Sequence, residues 1–198
     1  MNPTSAPAEK KAITIFVIIH DDVPEPTRKN LYADHFQPFI TELQSFIERK
    51  VHVIFGRLAP YSNFDYKNEN EQMTSSRWEN MCFGYLEERR AEGFKTDQLT
   101  KVLLVTNESL NSRTGGIARI YPPFFSGNSA IASLTSYINV AHEIGHLLGA
   151  RHGDYETQFN GWWCETYMTS QPGGITSNCY VFSPANRQNI KNYLASVN

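Results

Sequence analysis

Nowhere does this sequence run through the roughly 20 consecutive apolar residues that a helix needs to cross a bilayer. A membrane-spanning role is therefore not expected. Cationic charge is also scarce, with 18 Lys and Arg against 20 Asp and Glu and a net charge of -2. The cations of the second half (Lys101, Arg113, Arg119, Arg151, Arg187 and Lys191) are scattered, not striped. Neither nucleic acid nor an anionic membrane is an expected partner. Cysteine is limited to Cys82, Cys164 and Cys179, and an odd, small count excludes a disulfide scaffold. No internal repeat and no internal linker is visible.

What remains is a chain of 198 residues, 40% hydrophobic and 19% charged, which reads as globular and long enough for a sizeable core. Residues 1–11 are polar with two prolines and are expected to form a flexible N-terminus. Residues 12–198 are expected to form a single domain, monomeric, with a larger subdomain over 12–152 and a smaller one over 153–198. The run Ile13–Ile19 follows Lys10-Lys11 and superficially resembles a signal peptide. It is short and lacks a small-residue cleavage site, so it reads as a buried strand.

Thr27 is a plausible N-cap for a helix reaching about Lys50, kinked at Pro38, before a second strand over Val51–Phe55. This β-α-β unit predicts parallel strands with a right-handed crossover. A helix over Gln72–Glu92, with Met73, Trp78, Met81, Cys82, Tyr85 and Leu86 inward, stops at Gly93. Cys82 reads as a buried thiol. A third buried strand covers Lys101–Thr106. Ile117–Tyr121 alternates before Pro122-Pro123, and prolines cannot donate to a ladder, so this segment suits a sheet edge. Such an edge beside a metal could hold an extended peptide through Gly116, Ile117 and Ala118, with a bulge at Gly115-Gly116; an ordinary edge strand is the alternative. Ser129–Ser136 is a last strand feeding a helix from Tyr137 to about Gly149. Ser183-Pro184 opens a closing helix to about Ala195 that packs back on the larger subdomain. The fold class is α/β (α+β), a mixed and mostly parallel twisted sheet with a small irregular C-terminal subdomain ending in a helix.

The chemistry gathers in His142-Glu143-Ile144-Gly145-His146-Leu147-Leu148-Gly149-Ala150-Arg151-His152. Residues four apart share a helix face, so His142 and His146 aim at one point and Glu143 sits beside them. Gly149 can take positive φ and end the helix, which lets His152 return as a third ligand. Three neutral imidazoles with one open position suit a catalytic zinc ion, whereas a structural zinc closes all four positions. The alternative is three surface histidines at a helix C-terminus. His20, His35 and His52 show no ligand spacing and read as structural or solvent-facing. A bridge between Cys164 and Cys179 would close a loop of about 15 residues and contribute about 3 kcal/mol.

The motif over 142–152, with Met168 downstream in Tyr167-Met168-Thr169, resembles that of the metzincin metallopeptidases. The order of strands and helices is similar too. The reprolysin (adamalysin-like) branch is the most similar. Here, however, Gly153 separates the third histidine from Asp154, and Cys164 lies four residues ahead of the methionine. Astacin-like and serralysin-like enzymes place a tyrosine ligand where this chain has Ser170. The resemblance implies a zinc endopeptidase acting on protein or peptide substrates. It implies one zinc ion on His142, His146 and His152, Glu143 as general base, and Met168 as the apolar floor of a Met-turn, a generic core methionine being the alternative. It also makes Pro172–Tyr180 the wall of a substrate pocket. Inactive relatives lose the glutamate or a ligand, and this chain keeps all four, which weighs against a binding protein or toxin with incidental catalysis. No propeptide cysteine switch is visible. Secretion with the signal absent from this sequence is expected, a microbial effector exported without a cleaved signal being the alternative.

Overall fold

In a computed structural model that describes residues 10–170 and 176–197, a five-stranded sheet carries helices on both faces. The chain runs β1 (Ile13–Ile19), α1 (Glu25–Leu31), a π-helical turn over Tyr32–Phe36, α2 (Gln37–Phe46), β2 (Val51–Gly56), α3 (Glu71–Ala91) and β3 (Thr100–Thr106). It continues through β4 (Gly116–Tyr121), β5 (Ser126–Ser133) and α4 (Asn139–Leu147). A small second sheet follows, from β6 (Thr157–Phe159), β7 (Trp163–Glu165) and β8 (Ser177–Asn178), and α5 (Pro184–Ser196) closes the chain.

The large sheet has the order β2-β1-β3-β5-β4. Its first four strands are parallel, and β4 alone is antiparallel, at the edge. The apolar runs of β1 and β3 make sense as strands covered on both faces. Ile13, Ile15, Val17, Leu103 and Val105 point into a core shared with α2, α4 and α5. Phe16, Ile18, Val102 and Leu104 point into a second core under α3 and the aromatic loop of Tyr61, Phe64 and Tyr66. Burying each such side chain stabilises the fold by about 1.5–3 kcal/mol. Among the described residues no helix is long and apolar enough to cross a membrane.

Several boundaries differ from expectation. The first helix starts at Glu25, not after a Thr27 cap, because Pro26 supplies a first-turn φ that needs no N–H. The disturbance expected at Pro38 takes the form of the π-helical turn just before it, which brings buried His35 to stack on Tyr137 at 5.2 Å. Met73 is exposed rather than inward; it lies in the first turn of α3, where Asn70 Oδ1 accepts its N–H. The irregularity in the β4–β5 ladder lies between Arg119 and Tyr121, not at Gly115-Gly116, because Gly127 and Asn128 of β5 stand opposite Ile120 alone and the missing side chain of Gly127 lets the Arg119 carbonyl approach. β5 and α4 begin three residues earlier and two residues later than read, and the hydroxyl-rich turn between them takes up Leu134–Ile138. Cys164 and Cys179 are bonded, and Cys82 is a buried free thiol.

Candidate metal centre

Helix α4 lies against β4 and β5 and buries Val140, Ala141, Ile144 and Leu147. That leaves His142 and His146 on another flank, with His142 against the Tyr167 carbonyl. The helix ends where Gly149 takes φ 94, and the Ala150 N–H reaches back to the Gly145 carbonyl at 2.9 Å. A residue with a Cβ rarely adopts that conformation. The reversal carries the chain through Arg151 so that His152 faces the other two imidazoles.

The three Nε2 atoms converge. His142 Nε2 lies 2.8 Å and His146 Nε2 3.0 Å from His152 Nε2. The Nδ1 of His142 faces the Tyr167 carbonyl at 2.8 Å, and the Nδ1 of His146 faces the Ala150 carbonyl at 3.0 Å. A carbonyl only accepts, so both Nδ1 atoms must carry the proton. Each ring, if neutral, then offers a bare lone pair at Nε2. Burial holds the His142 pKa down to about 4 and that of His146 down to about 3, so both rings are neutral at pH 7. Two lone pairs aimed at a third imidazole nitrogen share at most one proton among them. A cation bound by three nitrogens satisfies all three, and imidazole is a natural donor to zinc.

Glu143 follows His142 and turns toward β4. The residue is 5% exposed, and among the described residues its Oε2 has no hydrogen-bond partner. Burial pushes its pKa well above the usual carboxylate value. The carboxylate fits beneath β4 because residue 116 has no side chain. A Cβ there would stand 2.6 Å from Glu143 Oε1 and 2.8 Å from its Cγ. Gly116, Ile117 and Ala118 are half-buried and pair with Ala132, Ile131 and Ala130 of β5, and no strand pairs with their other side among the described residues. Met168 is fully buried under α4, its Sδ 2.8 Å from where a Cβ on Gly145 would stand.

The residues singled out by the motif thus gather at one place. The carbonyls of Tyr167 and Ala150, which set the imidazole tautomers, carry no sequence signal. The contact between Gly116 and Glu143 could have been suspected only from the Gly115-Gly116 pair. Of the Pro172–Tyr180 stretch, residues 172–175 lie outside the described residues. Ser177–Asn178 forms β8 beside Cys164 and Glu165.

Residues 34–153 match the family described as Metallo-peptidase family M12B Reprolysin-like. No curated protein matches the chain. Among solved structures, metalloproteinase-II from Bacteroides fragilis is similar over 96% of this chain, with a TM-score of 0.64 and 19% identity. The chain spans 55% of that protein's length. Archaemetzincin from Methanopyrus kandleri is similar over 93% of this chain and 96% of its own, with a TM-score of 0.52 and 15% identity. At these identities the likeness is one of fold.

Proposed function

Since the chain belongs to the reprolysin-like metallopeptidases of family M12B, we propose that it is a zinc-dependent endopeptidase whose metal is held by His142, His146 and His152. The convergence of three Nε2 atoms, two of them with Nδ1 committed to a carbonyl, carries the reading. When bound, zinc supplies a Lewis acid that acidifies a water and polarises a carbonyl.

The protein's own side chains do the rest. The Glu143 carboxylate takes a proton from the attacking water and delivers it to the departing amine. Its burial shields that proton from bulk solvent. The edge of β4 at Gly116, Ile117 and Ala118 lines up an extended peptide by backbone hydrogen bonds, as an added strand. An edge strand reads a stretch of main chain rather than a terminus, which favours internal cleavage. Met168 forms an apolar floor beneath the ligand-bearing turns. The functional unit is 12–198, with 12–152 supplying the edge and ligands and 153–198 the floor. The Cys164–Cys179 bond supports an oxidising, extracellular setting.

The test combines metal analysis with cleavage of a peptide library, with and without chelator. Zinc at one equivalent and chelator-sensitive internal cleavage are expected. Glu143→Ala should keep its zinc and lose on the order of 10²–10⁴-fold in kcat. A metal-free parent, or a Glu143→Ala protein as active as the parent, overturns the reading.

A further inference from the structure

His152 differs from its two partners in how it is held. The rings of His142 and His146 are each fixed by a carbonyl at Nδ1. Among the described residues, nothing outside the imidazole cluster bonds the His152 ring, and the residue is exposed. The place of its Nε2 therefore depends on the backbone that carries it.

That backbone is gripped on both sides by one helix. Asn186 of α5, fully buried, accepts the Arg151 N–H through Oδ1 at 2.7 Å and donates from Nδ2 to the Arg151 carbonyl at 3.1 Å. Both backbone polar groups of the residue before His152 are thus paired with one side chain. Two residues past His152, the Asp154 carbonyl accepts from Ser183 Oγ, and Asp154 Oδ2 accepts from Asn189 Nδ2 at 2.7 Å. Ser183, Asn186 and Asn189 are spaced by three and share one face of the helix end. The helix itself is anchored to the sheet side of the molecule. Arg187 forks onto buried Glu42 with two bonds of 3.0 Å, Tyr193 donates to the Gln98 carbonyl at 2.7 Å, and Arg49 donates to the Leu194 carbonyl at 2.8 Å.

We infer that the Ser183–Asn186–Asn189 face of α5 positions His152 for the metal, with Asn186 as the principal positioning residue. The inference rests on the zinc reading above. It makes the C-terminal helix part of the metal centre although none of its residues reaches the imidazoles. A merely structural role for Asn186 would affect stability and leave the metal affinity of the folded protein alone.

Zinc affinity of the full chain, measured by chelator competition, separates the two, together with thermal melts of the metal-free proteins. Asn186→Ala should weaken zinc binding roughly 10- to 100-fold, the range for residues that orient a ligand. Asn189→Ala should weaken it less, in the same direction. Arg187→Ala loosens α5 from Glu42 without touching 151–154, so it should lower the melting temperature and leave zinc affinity at the parental value. If Asn186→Ala fails to fold, Asn189→Ala against Arg187→Ala decides. The inference is overturned if the parent holds zinc and both asparagine variants hold it equally tightly. Equal affinity losses in Arg187→Ala and the asparagine variants overturn it too. A parent that holds no zinc overturns the metallopeptidase reading and this inference with it.

Discussion

Glu143 is placed by an absence on the opposite strand. Its carboxylate occupies the space that any side chain at residue 116 would need. Gly116→Ala should therefore push the carboxylate aside while leaving the histidines alone. The expected outcome is a kcat loss of about 10²-fold, since displacement of a catalytic group by about 1 Å has that effect. Zinc content should stay parental, as read by metal analysis alongside steady-state kinetics. A parental kcat in this variant would show that the close packing has no catalytic consequence. The motif made the three histidines and Glu143 legible, because ligand spacing on a helix is a local property. The partner of Glu143 was not legible, because Gly116 lies 27 positions earlier in sequence and meets α4 only through the sheet.

At the scale of elements, the turn after α4 links helix geometry to ligand chemistry. Gly149 at φ 94 presents the Ala150 carbonyl to His146 Nδ1. Gly149→Ala forces an L side chain into that conformation and toward the Phe124 carbonyl, 3.2 Å from the new Cβ. A stability loss of more than about 1 kcal/mol is expected by urea denaturation, since Ala at positive φ costs more than Gly→Ala gains at a compatible site. Zinc binding should weaken as well. Strand β3 carries a different device, one that ties the sheet to α5. Lys101 is fully buried, and its ammonium donates to the carbonyls of Gln98 and Gly127 and to Tyr193 Oη, at 2.8, 2.6 and 2.8 Å. Lys101→Met takes its bond from the buried Gly127 carbonyl and leaves the Gln98 carbonyl to the Tyr193 hydroxyl alone, and a loss of about 1–3 kcal/mol is expected in the same assay. In sequence Lys101 looked like one more scattered cation at the mouth of a strand. Buried strands were legible as apolar runs, but helix ends moved by several residues where turn hydroxyls and prolines competed with the helix.

At the scale of the whole molecule, the chain beyond Gly153 buries Tyr167, Met168 and Phe182 in the core it shares with the large sheet. The region from Gly153 leaves Phe159, Trp162 and Trp163 exposed and relies on the Cys164–Cys179 bond, with a sequence separation of 15. Replacing both cysteines by serine should cost about 3 kcal/mol. For a chain of this size that is a fall in melting temperature of roughly 6–12 °C, at about 2–4 °C per kcal/mol, measurable by calorimetry. Cys82, on the buried face of α3, takes no part in this.

The parallel pairing of the first two strands, the edge position of Ile117–Tyr121 and the spacing of the three histidines and the glutamate were determined by the sequence itself, whereas the sheet order β2-β1-β3-β5-β4 was not. Each depends on the period of a helix or strand, on proline's missing donor, or on glycine's freedom of φ, and all of these act over a few residues. Tertiary structure alone decided that Glu143 lies beneath Gly116, that backbone carbonyls set two imidazole tautomers, and that α5 grips the segment carrying His152. Every residue owns a carbonyl, and asparagines are common, so neither marks its partner in sequence. Which of them meets the histidine-bearing turn is set by how the sheet and its covering helices pack, and that depends on contacts far apart along the chain.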